Sequence, residues 1–88
     1  MLYTFSKANY SLDDLQIILT HITKQDIIVL WQDGILLAVK YPFLFTQKTP
    51  VFALSQDAQA RNLSLSIPTI SLTEFIKLTE KYFPQIAF

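Results

Sequence analysis

A chain of 88 residues with 51% apolar and 16% charged residues carries less charge than the roughly 25% of an ordinary soluble domain, although a single small domain has proportionally more surface to keep wet. Seven basic and seven acidic residues cancel without a run of either sign, which argues against direct nucleic-acid binding, and Asp33, Lys40 and Lys48 interrupt the apolar runs before any reaches membrane-span length. With no cysteine and one histidine, His21, the chain has no means of forming disulfides, thiolate metal ligands, a cysteine nucleophile or a His-rich metal site.

Seven Phe, four Tyr and one Trp add to the low charge. Aromatic residues are enriched in interface cores, so extensive burial against another subunit is the expectation. Met1 to Tyr10 lacks a charged leader followed by an apolar stretch, and a cytoplasmic protein is expected.

Leu2 to Phe5 reads as a first strand. Ser11 is placed to cap a helix with Asp13 and Asp14 in its first turn, where the helix dipole favours negative charge. Leu12, Leu15, Leu19 and Ile22 recur at helical spacing, with Ile18 widening the stripe, and predict a helix from Leu12 to about Ile22. Ile27 to Trp31 is a continuous run of β-branched and bulky apolar residues, which suits a central strand covered on both faces. Asp33 and Gly34 then read as an abrupt strand exit, Gly34 supplying a positive φ and Asp33 bonding to its own turn.

Ile35 to Val39 predicts a short helix that Pro42 stops, and Leu30 to Val51 is long enough for a parallel crossover. Val51 to Leu54 follows as a third strand. A short helix beginning at Ser55 or Asp57 runs through Ala58, Ala60 and Arg61, with Asn62 as a left-handed C-cap. Ile67 to Ile70 is a possible fourth strand that Pro68 confines to an edge. Ser71 and Glu74 form a capping box ahead of a terminal helix whose apolar face is Leu72, Phe75, Ile76, Thr79 and Tyr82; Pro84 ends it and Gln85 to Phe88 is an apolar tail. The alternation gives a small single-domain α/β fold, residues 1–88, with a mostly parallel sheet flanked by four short helices and a flavodoxin- or Rossmann-like topology whose strand order stays open.

The candidate site residues gather at the end of the central strand, where open α/β sheets usually place ligand and partner sites. His21 suits a surface or capping role better than a general base, since no oriented partner is visible. Trp31 reads equally as a strand-end core residue and as an interface anchor. Lys7 and Arg61 read as isolated cations, and a single glycine excludes a glycine-rich phosphate loop.

Several segments together resemble the TusB/DsrH family of bacterial sulfur-relay subunits: Leu2-Tyr3-Thr4, Leu30-Trp31-Gln32-Asp33-Gly34-Ile35, and Ala53-Leu54 with Asp57, Ala60, Arg61 and Leu63. The series continues through Phe75, Leu78 and Thr79 to Gln85-Ile86-Ala87-Phe88. No single motif is specific; the ordered set at this length is. The resemblance implies a DsrE/DsrF/DsrH-like fold and a subunit of a heterohexamer with TusC-like and TusD-like chains, while a homodimer of the isolated chain stays open. In that family's scheme persulfide sulfur comes from TusA and passes by way of TusD and TusE to the thiolase that makes 2-thiouridine at the tRNA wobble position. Members of the sulfur-oxidising branch carry a cysteine in the first helix, where Leu15 to Leu19 has none, so the resemblance implies the tRNA-modifying branch and a non-catalytic structural subunit without cofactor or metal. Tyr3 stands where relatives often have His, Asn62 replaces a usual Gly, and the segment between Val39 and Pro50 is short. Trp31, Asp33, Gly34 and Phe88 are the expected interface residues, as anchor, turn, turn and tail plug. The alternative is a stand-alone homo-oligomeric enzyme or small-ligand protein using a pocket at Trp31 to Gly34.

Overall fold

The computed structural model of the chain describes residues 1–23, 25–45, 49–63, 65–82 and 84–88. Five strands, β1 Leu2–Phe5, β2 Ile27–Leu30, β3 Val51–Leu54, β4 Thr69–Ile70 and β5 Gln85–Ala87, form one parallel sheet in the order β4-β3-β2-β1-β5. The α/β fold expected from the alternation of elements is therefore present. Its strand order steps outward from β1 to β4 and then returns to β5 beside β1, a doubly wound arrangement with its reversal at β1.

That reversal fixes the layers. Right-handed crossovers put the connections made while the chain steps one way on one face and the return connection on the other. Accordingly α1 Leu12–Thr20, α2 Leu36–Lys40, α3 Ser55–Ala60 and two short 3-10 segments cover one face, and α4 Leu72–Lys81 alone covers the other. The strand residues alternate between the two cores. Tyr3, Phe5, Ile28, Leu30, Val51 and Ala53 meet Leu15, Ile35, Leu37 and Ala58 on the first face; Leu2, Ile27, Val29, Leu54 and Ile70 meet Phe75 on the second. All four residues of β2 are buried, as the continuous apolar run requires.

Most local signals act as read. Ser11 Oγ accepts the Asp14 N–H at 3.2 Å, Ser71 and Glu74 make both bonds of the capping box at 3.1 and 2.9 Å, and Asn62 has φ 53° just beyond α3. His21 is an exposed C-cap of α1, and the helix ends at Thr20, before Ile22. Between Lys40 and β3 a 3-10 segment, Pro42–Phe45, buries Leu44 and Phe45; residues 46–48 of the short stretch before Pro50, and with them Lys48, lie outside the described residues.

Two expectations are corrected. Gln85–Ala87 is a strand and no mere tail: Leu2 N–H donates to Pro84 O and Phe88 N–H to Thr4 O, so the edge of β1 recruits a segment with little strand propensity of its own. The buried stripe of α4 is Phe75 with Leu78 and Tyr82, whereas Leu72 and Ile76 are 46% and 51% exposed, because among the described residues no second helix shares that face of the sheet. The helix expected over Ile35 to Val39 is present as α2, Leu36–Lys40, and is entered through a 3-10 turn, Gln32–Ile35.

The accessible surface is 5339 Å², close to the about 5,300 Å² that size scaling gives a compact monomer of 10.1 kDa. The chain is thus closed on its own, yet Ile17, Val39, Phe43, Leu72 and Ile76 remain roughly half exposed, spread over both faces. Asp26, beside β2, accepts the Thr23 N–H at 2.9 Å and the Thr23 hydroxyl at 3.2 Å, and lies 3.3 Å from the Met1 amino group. Burial pushes its pKa up, but those bonds and the ammonium charge outweigh it and hold the carboxyl below its usual value.

Candidate interface at the carboxyl end of the sheet

The chain leaves β2 through Trp31, whose N–H donates to Phe5 O at 3.1 Å and whose indole packs edge-on against Phe75, ring centroids 5.6 Å apart. Trp31 is half-buried on the α4 face, and its Nε1 is buried without an acceptor among the described residues. The structure thus gives Trp31 a core contact on one side and some exposure on the other.

Gln32, not Gly34, takes the positive φ, at 53°, and no glycine has one. The glycine is required for another reason: a Cβ at Gly34 would overlap the Phe5 carbonyl, so the 3-10 turn passes against the backbone of β1 at a separation only glycine permits. The strained Gln32 is held from outside the turn, its N–H donating to Asp57 Oδ2 at 2.7 Å.

Asp33 likewise does not bond to its own turn. Its Oδ1 accepts from Arg61 Nη2 at 2.7 Å, while Arg61 Nη1 donates to Asp57 O at 3.2 Å and lies 4.0 Å from Asp57 Oδ1. Arg61 is therefore not isolated; the β2–β3 crossover brings it to a carboxylate 28 positions away in sequence. Lys7 is exposed and has no ion pair among the described residues. The Asp57–Arg61 clasp has a sequence signal of its own, an acid and a base four apart at the end of a short helix.

Phe88 follows β5 at the reversal of strand order. Its ring stacks on Phe5 at 5.0 Å and on Tyr3 at 6.3 Å, and its carbonyl accepts the Ser6 N–H at 3.1 Å. Burial raises the pKa of the Tyr3 phenol, helped by the charge of Asp26. Phe5 thus joins three of the four expected residues: its backbone meets Trp31 and Gly34 and its ring meets Phe88. Asp33 alone is tied elsewhere, to α3.

Two hollows border this end and the α4 face. An open cleft of about 530 Å³ between the exits of β1 and β2 is lined by Lys7, Ala8, Asn9, Asp33 and Lys40, and an apolar groove of about 410 Å³ beside α4 is lined mainly by Ile27, Phe52, Ile70, Leu78 and Tyr82. Neither encloses a ligand-sized chamber. Among the described residues no cluster of His, Asp or Glu is placed to hold a metal, and no helix is long and apolar enough to cross a membrane.

The chain is similar to known proteins over nearly its whole length. The sequence profile described as DsrH like protein matches residues 7–85. An uncharacterized protein of Haemophilus influenzae is 44% identical over 94 aligned residues, covering 99% of each chain. Protein TusB of Cronobacter sakazakii is 38% identical and Protein TusB of Yersinia pestis 35% identical, each alignment covering the whole of both chains. The solution NMR structure of protein Tm0979 from Thermotoga maritima superposes with a TM-score of 0.62 at 28% identity, covering 92% of this chain and 93% of that one.

Proposed function

The chain belongs to the DsrH-like family, and from that membership we propose that it is a non-catalytic structural subunit of a sulfur-relay assembly serving tRNA wobble-uridine 2-thiolation in the cytoplasm. The observation that carries the reading is full-length similarity to proteins named TusB in a chain with no cysteine. A persulfide needs a thiol to form on, so every covalent sulfur step falls to partners, TusC-like and TusD-like chains in contact and a TusE-like acceptor downstream.

What this chain contributes is surface. Half-exposed apolar side chains on both faces, Ile17, Val39 and Phe43 on one and Leu72 and Ile76 on the other, suit a domain held between neighbours. Trp31, Asp33, Gly34 and Phe88 act here by shaping the carboxyl end of the sheet: Gly34 and Phe88 pack on Phe5, Asp33 ties the turn to α3, and Trp31 offers its exposed edge.

Deleting the gene and quantifying nucleosides of bulk tRNA by mass spectrometry tests the role. Loss of 2-thiouridine, restored by the wild-type chain, is expected; undiminished 2-thiouridine in the deletion strain would overturn it.

A further inference from the structure

The two edges of the sheet are built differently. Edge β4 is two residues long and so offers little to an incoming strand. Edge β5 also follows a proline, Pro84, but it is longer, its bonds to β1 running on to Phe88, and Gln85, Ile86, Ala87 and Phe88 carry no charged side chain.

The hydrogen bonds to β1 fix which main-chain groups of β5 are spare. Pro84 O accepts from Leu2 N–H, Phe88 N–H donates to Thr4 O, and Phe88 O accepts from Ser6 N–H. By strand alternation, residues 84, 86 and 88 face β1, so the N–H and C=O of Gln85 and Ala87 point away from the sheet. Both residues are exposed.

We infer that β5 pairs with β5 of a second copy, antiparallel about a two-fold axis through Ile86, making one continuous sheet from two chains. The spare groups set this register. Gln85 of one chain exchanges both main-chain bonds with Ala87 of the other, and Ile86 meets its symmetry mate in the close, non-hydrogen-bonded position between them. The side chains agree with it. A long Gln lies opposite a small Ala without like charges in apposition, and half-buried Ile86 and Phe88 gain apolar cover on the helix-rich face. The pairing uses only this chain's own edge and stands apart from the sulfur-relay reading, so either can fail alone.

Because the chain lacks cysteine, single thiols report the register cleanly. The full-length chain is purified alone and its mass followed by light scattering over a concentration series, with parallel oxidation of Ile86→Cys and Gln85→Cys. A concentration-dependent dimer is expected, with Ile86→Cys forming a covalent dimer, since facing residues in that position lie within disulfide reach, and Gln85→Cys doing so at least about tenfold more slowly. Ala87→Pro removes only an outward N–H and should leave the chain folded, by circular dichroism, with dimerisation weakened at least about tenfold. A wild-type chain that stays monomeric throughout, equal cross-linking at both positions, or a folded Ala87→Pro chain with undiminished dimerisation would overturn the inference.

Discussion

A single glycine does two things at the exit of β2, and only one was readable in advance. The dipeptide Asp33-Gly34 marks a break in the strand, which the structure has, but the left-handed backbone belongs to Gln32, and Gly34 serves as the point where the turn grazes the Phe5 carbonyl. The two accounts differ in what they predict for alanine. A left-handed position would charge alanine about 1 kcal/mol, the ordinary cost of that conformation. Overlap with a backbone carbonyl, which cannot swing aside as a side chain could, should cost Gly34→Ala about 3 kcal/mol in chemical denaturation. A loss under about 1 kcal/mol would show that β1 and the turn separate easily. Sequence can locate such a residue because glycine interrupts an apolar run; it is silent on which strand will lie against it.

At the level of elements, the 3-10 turn after β2 and the helix after β3 share the first core and are also joined by charged side chains. Asp57 holds the N–H of the strained Gln32, and Arg61, one turn further along, holds Asp33. The Arg61–Asp33 pair is largely solvated, with Asp33 65% exposed, and contributes little by itself. The Asp57 bond is the stronger one, with a carboxylate accepting from a main-chain N–H and only 18% of its side chain exposed. Asp57→Ala should therefore cost about 2 kcal/mol in thermal or denaturant unfolding, and Arg61→Met well under half of that. The reverse ranking would mean that the Arg61 pair, and not the Gln32 bond, fixes the turn.

The elements themselves were legible to an uneven degree, for physical reasons. Both capping serines, Asn62 and the apolar run of β2 work within a few residues of themselves and show in the sequence. Strand β5 does not, since its three residues hold their shape through the edge of β1, and its sequence alone has no alternation to detect. The burial of α4 is hidden for a related reason: a stripe of Leu72, Phe75 and Ile76 is apolar, but how much of it is covered depends on how many helices share the face, and among the described residues α4 has that face to itself.

On the scale of the whole molecule, low charge and high aromatic content had suggested that the chain relies on partners for burial. The structure divides that expectation. The sheet buries both of its faces within the chain, and the accessible surface is ordinary for the mass. The excess apolar residues instead stand on the outside, on α1, α2, the 3-10 segment after it and α4. A domain with a closed core that still presents apolar side chains on two faces suits the proposed role as a subunit held between neighbours.

The most direct test of this account is the molar mass, by multi-angle light scattering after size exclusion, of the complex obtained when the chain is co-expressed with the TusC-like and TusD-like proteins of the same genome. The account predicts that it co-elutes with both in one species of about six chains, two of each, with all reactive thiols on the partners. A TusC–TusD complex that forms without it, leaving this chain in a separate peak, would contradict the assignment as a relay subunit.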